Sequence, residues 1–250
     1  MAKVTKAELE RIYRKYNRRK YVIPDPLQFL YAYSEVRDRE IAALIASSLA
    51  YGRVTQIVNS VQKALAVAGP SPRKFIEETA PREIDRRLAH FTHRFTTGVH
   101  LAGMLKRVRK VLRRYGSLNR CFLEGLDTSE ETVLPALAEF VRRLDCRDNY
   151  LLPDPRRGSA CKRLNLFLRW MVRKDTVDPG GWRGVPAAML IVPLDTHMAA
   201  KGRELEITDR KAPDIKMALE MTAFFRSLCP GDPVKYDFAL TRPGIRRESE

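Results

Sequence analysis

The residue types best suited to covalent chemistry in this 250-residue chain are a lysine and an aspartate, each at the start of a predicted helix. Lys162 stands in Gly158-Ser159-Ala160-Cys161-Lys162-Arg163-Leu164-Asn165 and leads into Leu166-Phe167-Leu168-Arg169-Trp170-Met171. Helical spacing turns Cys161, Leu164, Leu168 and Met171 inward and leaves Lys162, Asn165, Leu166 and Arg169 on a neighbouring face. A lysine in the first turn feels the positive end of the helix dipole and the charges of Arg157 and Arg163, all of which disfavour its protonated form. A neutral amine is what Schiff-base chemistry needs. Asp195 closes the apolar run Leu190-Ile191-Val192-Pro193-Leu194 and opens Asp195-Thr196-His197-Met198, so it reads as an N-cap. A carboxylate fixed by backbone N–H groups stays ionised and can stabilise a developing cation. On these residues alone, a solvated helix lysine and a nucleophile both remain open, as do a plain cap and a catalytic carboxylate.

The elements that would position this pair are helical. Ile41, Leu44, Ile45, Ser48 and Leu49 recur at three-and-four spacing, as do Ile57, Val61 and Leu65, and then Leu101, Met104, Val108, Val111, Leu112 and Tyr115. Gly52 and Gly116 follow two of these stretches where C-terminal caps would sit, and Thr128 with Glu131 fits a capping box for the next helix. Pro153 and Pro155 precede the Lys162 helix, and Pro179, Gly180, Gly181, Gly184 and Pro186 make an irregular segment after it. Without an internal repeat, the pattern predicts a mostly α protein in two lobes rather than a solenoid. Residues 1–36 read as a basic N-terminal helix and packing segment, and residues 37–250 as the helical body with a cleft between its lobes.

Lysine and arginine number 46 against 30 acidic residues, a formal charge of +16, which makes polyanions the first partners to consider. The basic residues gather at Arg11 to Lys20, Lys106 to Arg114 and Arg156 to Lys174, the last surrounding the candidate lysine. Neither a membrane-length apolar run nor a signal-peptide stretch occurs, so a cytosolic protein is expected. Cys121, Cys146, Cys161 and Cys229 lack paired spacing, which predicts isolated thiols and no metal site.

Gly158-x-x-x-Lys162-x-x-Asn165, followed by Val192-Pro193-Leu194-Asp195-Thr196-His197, resembles the corresponding stretches of helix-hairpin-helix DNA glycosylases such as endonuclease III and the oxoguanine glycosylases. Leu44-Ile45-Ala46-Ser47-Ser48-Leu49-Ala50-Tyr51-Gly52 and Val58-Asn59 look like that superfamily's early helix pair. The whole chain also resembles a bacterial family of unknown function, around Gly158 to Asn165 and Asp232-Pro233-Val234-Lys235-Tyr236-Asp237.

The glycosylase resemblance implies a two-lobed helical fold acting as a monomer on duplex DNA. Lys162 would attack C1′ of a flipped nucleotide, Asp195 would stabilise the cationic transition state, and collapse of the imine would nick the strand. The preceding hairpin, Leu152-Pro153-Asp154-Pro155-Arg156-Arg157-Gly158, is atypical, lacking closely spaced glycines, so Arg156, Arg157, Gly158 and Arg163 are expected at phosphates, with Arg53. Gly52 and Arg53 stand where endonuclease III-like proteins carry a wedge glutamine. The iron–sulfur cysteine pattern is absent, so no cofactor is implied, and the long interval to Asp195 is more similar to the archaeal GO glycosylases, which act on 8-oxoguanine. That likeness implies a base pocket with Asp237 accepting from a purine's N1–H and amine, Phe167 stacking on the base, and Pro193 beside them. His197 would hold the aspartate turn, and Trp182 would anchor its loop or touch DNA. Alternatives are a duplex-binding protein of the same architecture without turnover, and a helical scaffold whose basic faces meet acidic proteins or anionic lipid.

Overall fold

From Glu40 to Ala50 every residue is buried, so this stretch has no face for water and must run through the middle of the molecule. The computed structural model describes residues 4–145 and 150–247. Twelve α-helices occur among them: α1 (Lys6–Tyr16), α2 (Val36–Ser48), α3 (Val54–Ala68), α4 (Pro72–Glu78), α5 (Pro81–Leu88), α6 (Gly98–Tyr115), α7 (Leu118–Leu123), α8 (Leu134–Arg143), α9 (Lys162–Val172), α10 (Thr196–Glu204), α11 (Ile215–Leu228) and α12 (Asp237–Arg247). One antiparallel hairpin, β1 (Thr92–His93) with β2 (Thr96–Thr97), separates α5 from α6. The protein is mostly α, as expected from its periodicity.

Helix α2 is the buried axis, with α9, the short 3-10 segment Pro26–Ala32, α3 and α4 packed around it. Its buried carboxylate, Glu40, is almost fully enclosed and ties distant segments together. Glu40 accepts the backbone N–H groups of Leu118 and Asn119 at 2.9 and 3.2 Å, where α7 begins, and the Trp182 indole N–H at 2.9 Å. These bonds satisfy helix-start donors that would otherwise be buried unpaired. Burial pushes the Glu40 carboxyl up from its ordinary range. Trp182 therefore anchors its loop from inside the core.

Helix α6 is amphipathic, with Leu101, Met104, Leu105, Val108, Val111 and Leu112 buried, and Gly116 closes it at φ +79° as a left-handed cap. Part of its basic face serves the fold: Lys106 pairs with Asp85 at 2.7 Å, and Arg109 donates to the carbonyls of Thr79 and Glu77. Two expectations about helix ends need correction. α2 stops at Ser48, and Gly52 supplies a positive φ of +93° in the turn into α3 rather than a cap. Thr128 and Glu131 do not cap α8, which starts at Leu134; Glu131 pairs with Arg226 of α11, and the Val133 N–H donates to Met189 O. Helix α1 packs beside α12, and Glu10 of α1 accepts from Lys235 and from the Tyr236 hydroxyl, each at 2.6 Å, just before α12.

Candidate active site

Helix α9 is fixed at its start by several short-range devices. Gly158 takes φ +79° after the turn Pro155–Arg157, its carbonyl accepts the Ile215 N–H at 3.1 Å, and the Asn165 amide donates to Ala160 O at 3.0 Å. Lys162 is the first helical residue, and its Nζ lies 3.3 Å from Oδ2 of Asp195. The side chains are 31% and 17% exposed, so the pair faces an opening rather than bulk solvent. Asp195 caps α10: its Oδ1 accepts the Met198 N–H at 2.8 Å, which holds the carboxylate while Oδ2 faces the amine. Residues far apart in sequence thus meet through two helix starts.

The opening is a cavity of about 760 Å³. Lys162, Leu166, Arg169 and Trp170 line it from α9, Pro193, Asp195 and His197 from the α10 start, and Asp237, Phe238 and Thr241 from α12. Gly52, Arg53, Asp25 and Arg94 complete its rim and wall. Deeper in, Arg169 is buried and pairs with both Asp237 and Asp178, and Asp178 also pairs with Arg173. Arg173 in turn reaches Asp175 and Asp232, each at 2.9 Å. Four charged side chains, Asp178, Arg173, Asp175 and Asp232, therefore back the Arg169 guanidinium against which Asp237 rests.

Burial pushes the Asp237 carboxyl up to about 6, with Arg169 pulling it down and Asp195 pushing it further up. From an ordinary aspartate value near 4 up to about 6, the folded chain keeps a proton that the unfolded chain has released, so stability falls as pH rises through that window. Between pH 5 and pH 7 this group is expected to remove about 1 kcal/mol of stability. Urea denaturation at both pH values should show that difference in the wild type and not in Asp237→Asn; equal pH slopes would refute the assignment.

The remaining expected site residues divide. Pro193 and Arg53 line the cavity, as does His197 two residues beyond Asp195. Phe167 does not: it is fully buried, 5.0 Å from the Trp182 ring and stacked on Phe140 at 6.2 Å. Five residues beyond Lys162 is a rotation of roughly 140°, which carries the ring to the far side of α9. Arg163 is also committed to the fold, donating to Ser48 O at 3.0 Å and to Tyr150 O, with its guanidinium 5.2 Å from the Tyr51 ring. Gly158, Arg156 and Arg157 are exposed in the short turn before α9, where Arg156 is held by Asp154 at 2.7 Å.

Arg94, Asp25 and Phe238 were not legible as site residues. Arg94 sits in the turn of the Thr-rich stretch Thr92 to Thr97, which lacks the usual Asn-Gly or Asp-Gly signal of a tight hairpin. A Cβ on Gly52 would lie 2.7 Å from Arg94 Cδ and 2.9 Å from its Nη1. Gly52→Ala therefore meets both a positive φ and a displaced arginine, and should cost about 1–2 kcal/mol in urea denaturation. An unchanged midpoint would mean that the turn relaxes freely.

Cysteine chemistry competes poorly here, because burial pushes the Cys121 and Cys161 thiols up to about 11. Cys121, Cys161 and Cys229 are unpaired, and Cys146 lies outside the described residues. Among the described residues, no cluster of three His, Cys, Asp or Glu side chains is arranged to hold a metal ion, and no helix is long and apolar enough to cross a membrane.

Fold and site together define a mostly helical protein with a lysine–carboxylate pair at a cavity bordered by arginines. The chain belongs to the family described as protein of unknown function (DUF2400), whose model matches residues 25–246. No curated protein and no solved structure matches the chain.

Proposed function

We propose that the protein is a DNA-repair glycosylase of the helix-hairpin-helix type with abasic-site lyase activity, acting on an oxidised purine, 8-oxoguanine first. The observation that carries this reading is the 3.3 Å approach of Lys162 Nζ to a helix-capping Asp195 carboxylate on the wall of a cavity of about 760 Å³, a size suited to a small extruded group. A base can reach such a cavity only by leaving the duplex stack, at a cost of a few kcal/mol that pocket contacts offset. The Lys162 amine, its proton passing by way of Asp195 to the departing base, forms a bond to C1′ as the bond from C1′ to the base nitrogen breaks. Opening of the sugar ring then gives an iminium between Nζ and C1′. Loss of a C2′ proton expels the 3′ phosphate and nicks the strand.

Asp195, held by the Met198 N–H, stabilises the cationic carbon and is close enough to Nζ to relay its proton. Asp237, backed by Arg169, accepts from N–H groups on the base edge. Arg53 at the rim and Arg157 in the turn before α9 supply phosphate contacts. Treatment with borohydride across duplexes carrying 8-oxoguanine, uracil, thymine glycol or an abasic site tests the reading. A reduced covalent adduct is expected, strongest for 8-oxoguanine and the abasic site. Tight duplex binding without adduct or base release on any of them would instead favour a binding protein without turnover.

A further inference from the structure

Large apolar side chains that remain exposed deserve an explanation when they gather in one place. Among the described residues these are Ile23 at 65%, Phe95 at 72%, Val99 at 80% and Tyr150 at 39% exposure. None of the four is itself in the cavity lining, and Tyr150 lines a second pocket; their links to the cavity wall run through chain neighbours or a hydrogen bond. Ile23 is two residues from Asp25, Phe95 follows Arg94, Val99 lies in the first turn of α6 beyond the hairpin, and Tyr150 bonds to Thr96 at 2.7 Å. Arg53 and Arg94 border the cavity, and the Arg94 guanidinium lies 5.4 Å from the centroid of the Phe95 ring.

Phe95 stands out because its support is rigid and strained. Pairing of His93 with Thr96 leaves a two-residue turn, Arg94-Phe95. Arg94 has φ +53°, a region that usually demands glycine at the first turn position and costs a side-chain-bearing residue about 1–2 kcal/mol. The hairpin is bolted to the α2–α3 connection: the Tyr51 hydroxyl donates to His93 O at 2.9 Å and bonds to Thr96 Oγ1 at 2.6 Å. The buried His93 ring bonds to Ser60 Oγ at 2.9 Å and to Tyr51 O at 3.1 Å. So much anchoring beneath an exposed aromatic ring holds it in place ahead of any contact, which suits it to meet something flat and apolar.

We propose that Phe95 enters the base stack of duplex DNA beside the cavity and fills the gap left when a nucleotide is extruded, with Arg94 and Arg53 meeting the flanking phosphates. The inference rests on the functional reading above for its choice of partner. Charge argues for that partner over a protein, because the apolar tip is bordered by cations on a chain of net charge +16. Apolar side chains that penetrate base steps are a general means of holding opened DNA, and an aromatic ring has a π-face for any base.

A duplex carrying a tetrahydrofuran abasic analogue tests this without catalysis, since it has neither a base to release nor a reactive C1′. The native tryptophans, Trp170 and Trp182, are 1% and 6% exposed, so the signal of Phe95→Trp is read by difference from the wild type. Its added fluorescence should be quenched by the tetrahydrofuran duplex and not by anionic phospholipid vesicles. Phe95→Ala should lose about tenfold in affinity for that duplex with unchanged thermal stability, because the side chain is exposed. Unaltered affinity in Phe95→Ala together with no quenching overturns the inference even if the borohydride adduct forms. Quenching by vesicles to the same extent also overturns it, assigning the tip to a lipid surface. Quenching by the duplex without any borohydride adduct leaves Phe95 in its role and removes the covalent chemistry alone.

Discussion

Lys162→Gln is expected to abolish the borohydride-trapped adduct and to slow base release about a thousandfold or more, while duplex affinity stays within about fivefold of the wild type. The side chains are similar in length, so the substitution removes the nucleophilic nitrogen lone pair with little change in volume. Its contact with Asp195 is partly exposed, which limits the stability at stake. Gel separation of trapped complexes and measurement of free base give the two readouts. An adduct of ordinary yield in this variant would remove Lys162 from the chemistry.

The second large effect concerns stability. Asp178 is completely buried between Arg169 and Arg173, and it lies behind the guanidinium that supports Asp237. Asp178→Asn keeps the shape and deletes the charge, leaving two buried guanidinium groups short of compensation. Breaking such a network from one side costs about 3–5 kcal/mol. That corresponds to a drop of about 10 °C in Tm for a chain of this size. Urea and thermal denaturation measure it directly, and a loss below about 1 kcal/mol would mean that Asp175, Asp232 and Asp237 already balance both arginines.

The sequence exposed the helices with clean periodicity, α6 and α9 above all, because an amphipathic surface writes its burial into the spacing of apolar residues. The Lys162 face was readable for the same reason: Lys162, Leu166 and Arg169 recur on one side of α9 and all reach the cavity. Asp195 was legible as a cap because N-capping is local chemistry. What spacing could not reveal is which buried charge pairs with which. Arg169 looked like one more cation in a basic stretch, yet its partners are Asp178 and Asp237, the latter on a helix far along the chain. Phe167 misled because an aromatic near a candidate lysine invites a functional role, whereas the rotation along α9 turns it into the Phe140–Trp182 cluster. The β1–β2 hairpin went unseen because its turn residue, Arg94, violates the glycine preference that marks such turns.

The most direct measurement is tandem mass spectrometry of a proteolytic digest after borohydride trapping on an 8-oxoguanine duplex. The proposed function requires the reduced sugar remnant to be found on the Lys162 side chain. A remnant on the amino terminus or on another lysine, with Lys162 unmodified, would contradict it.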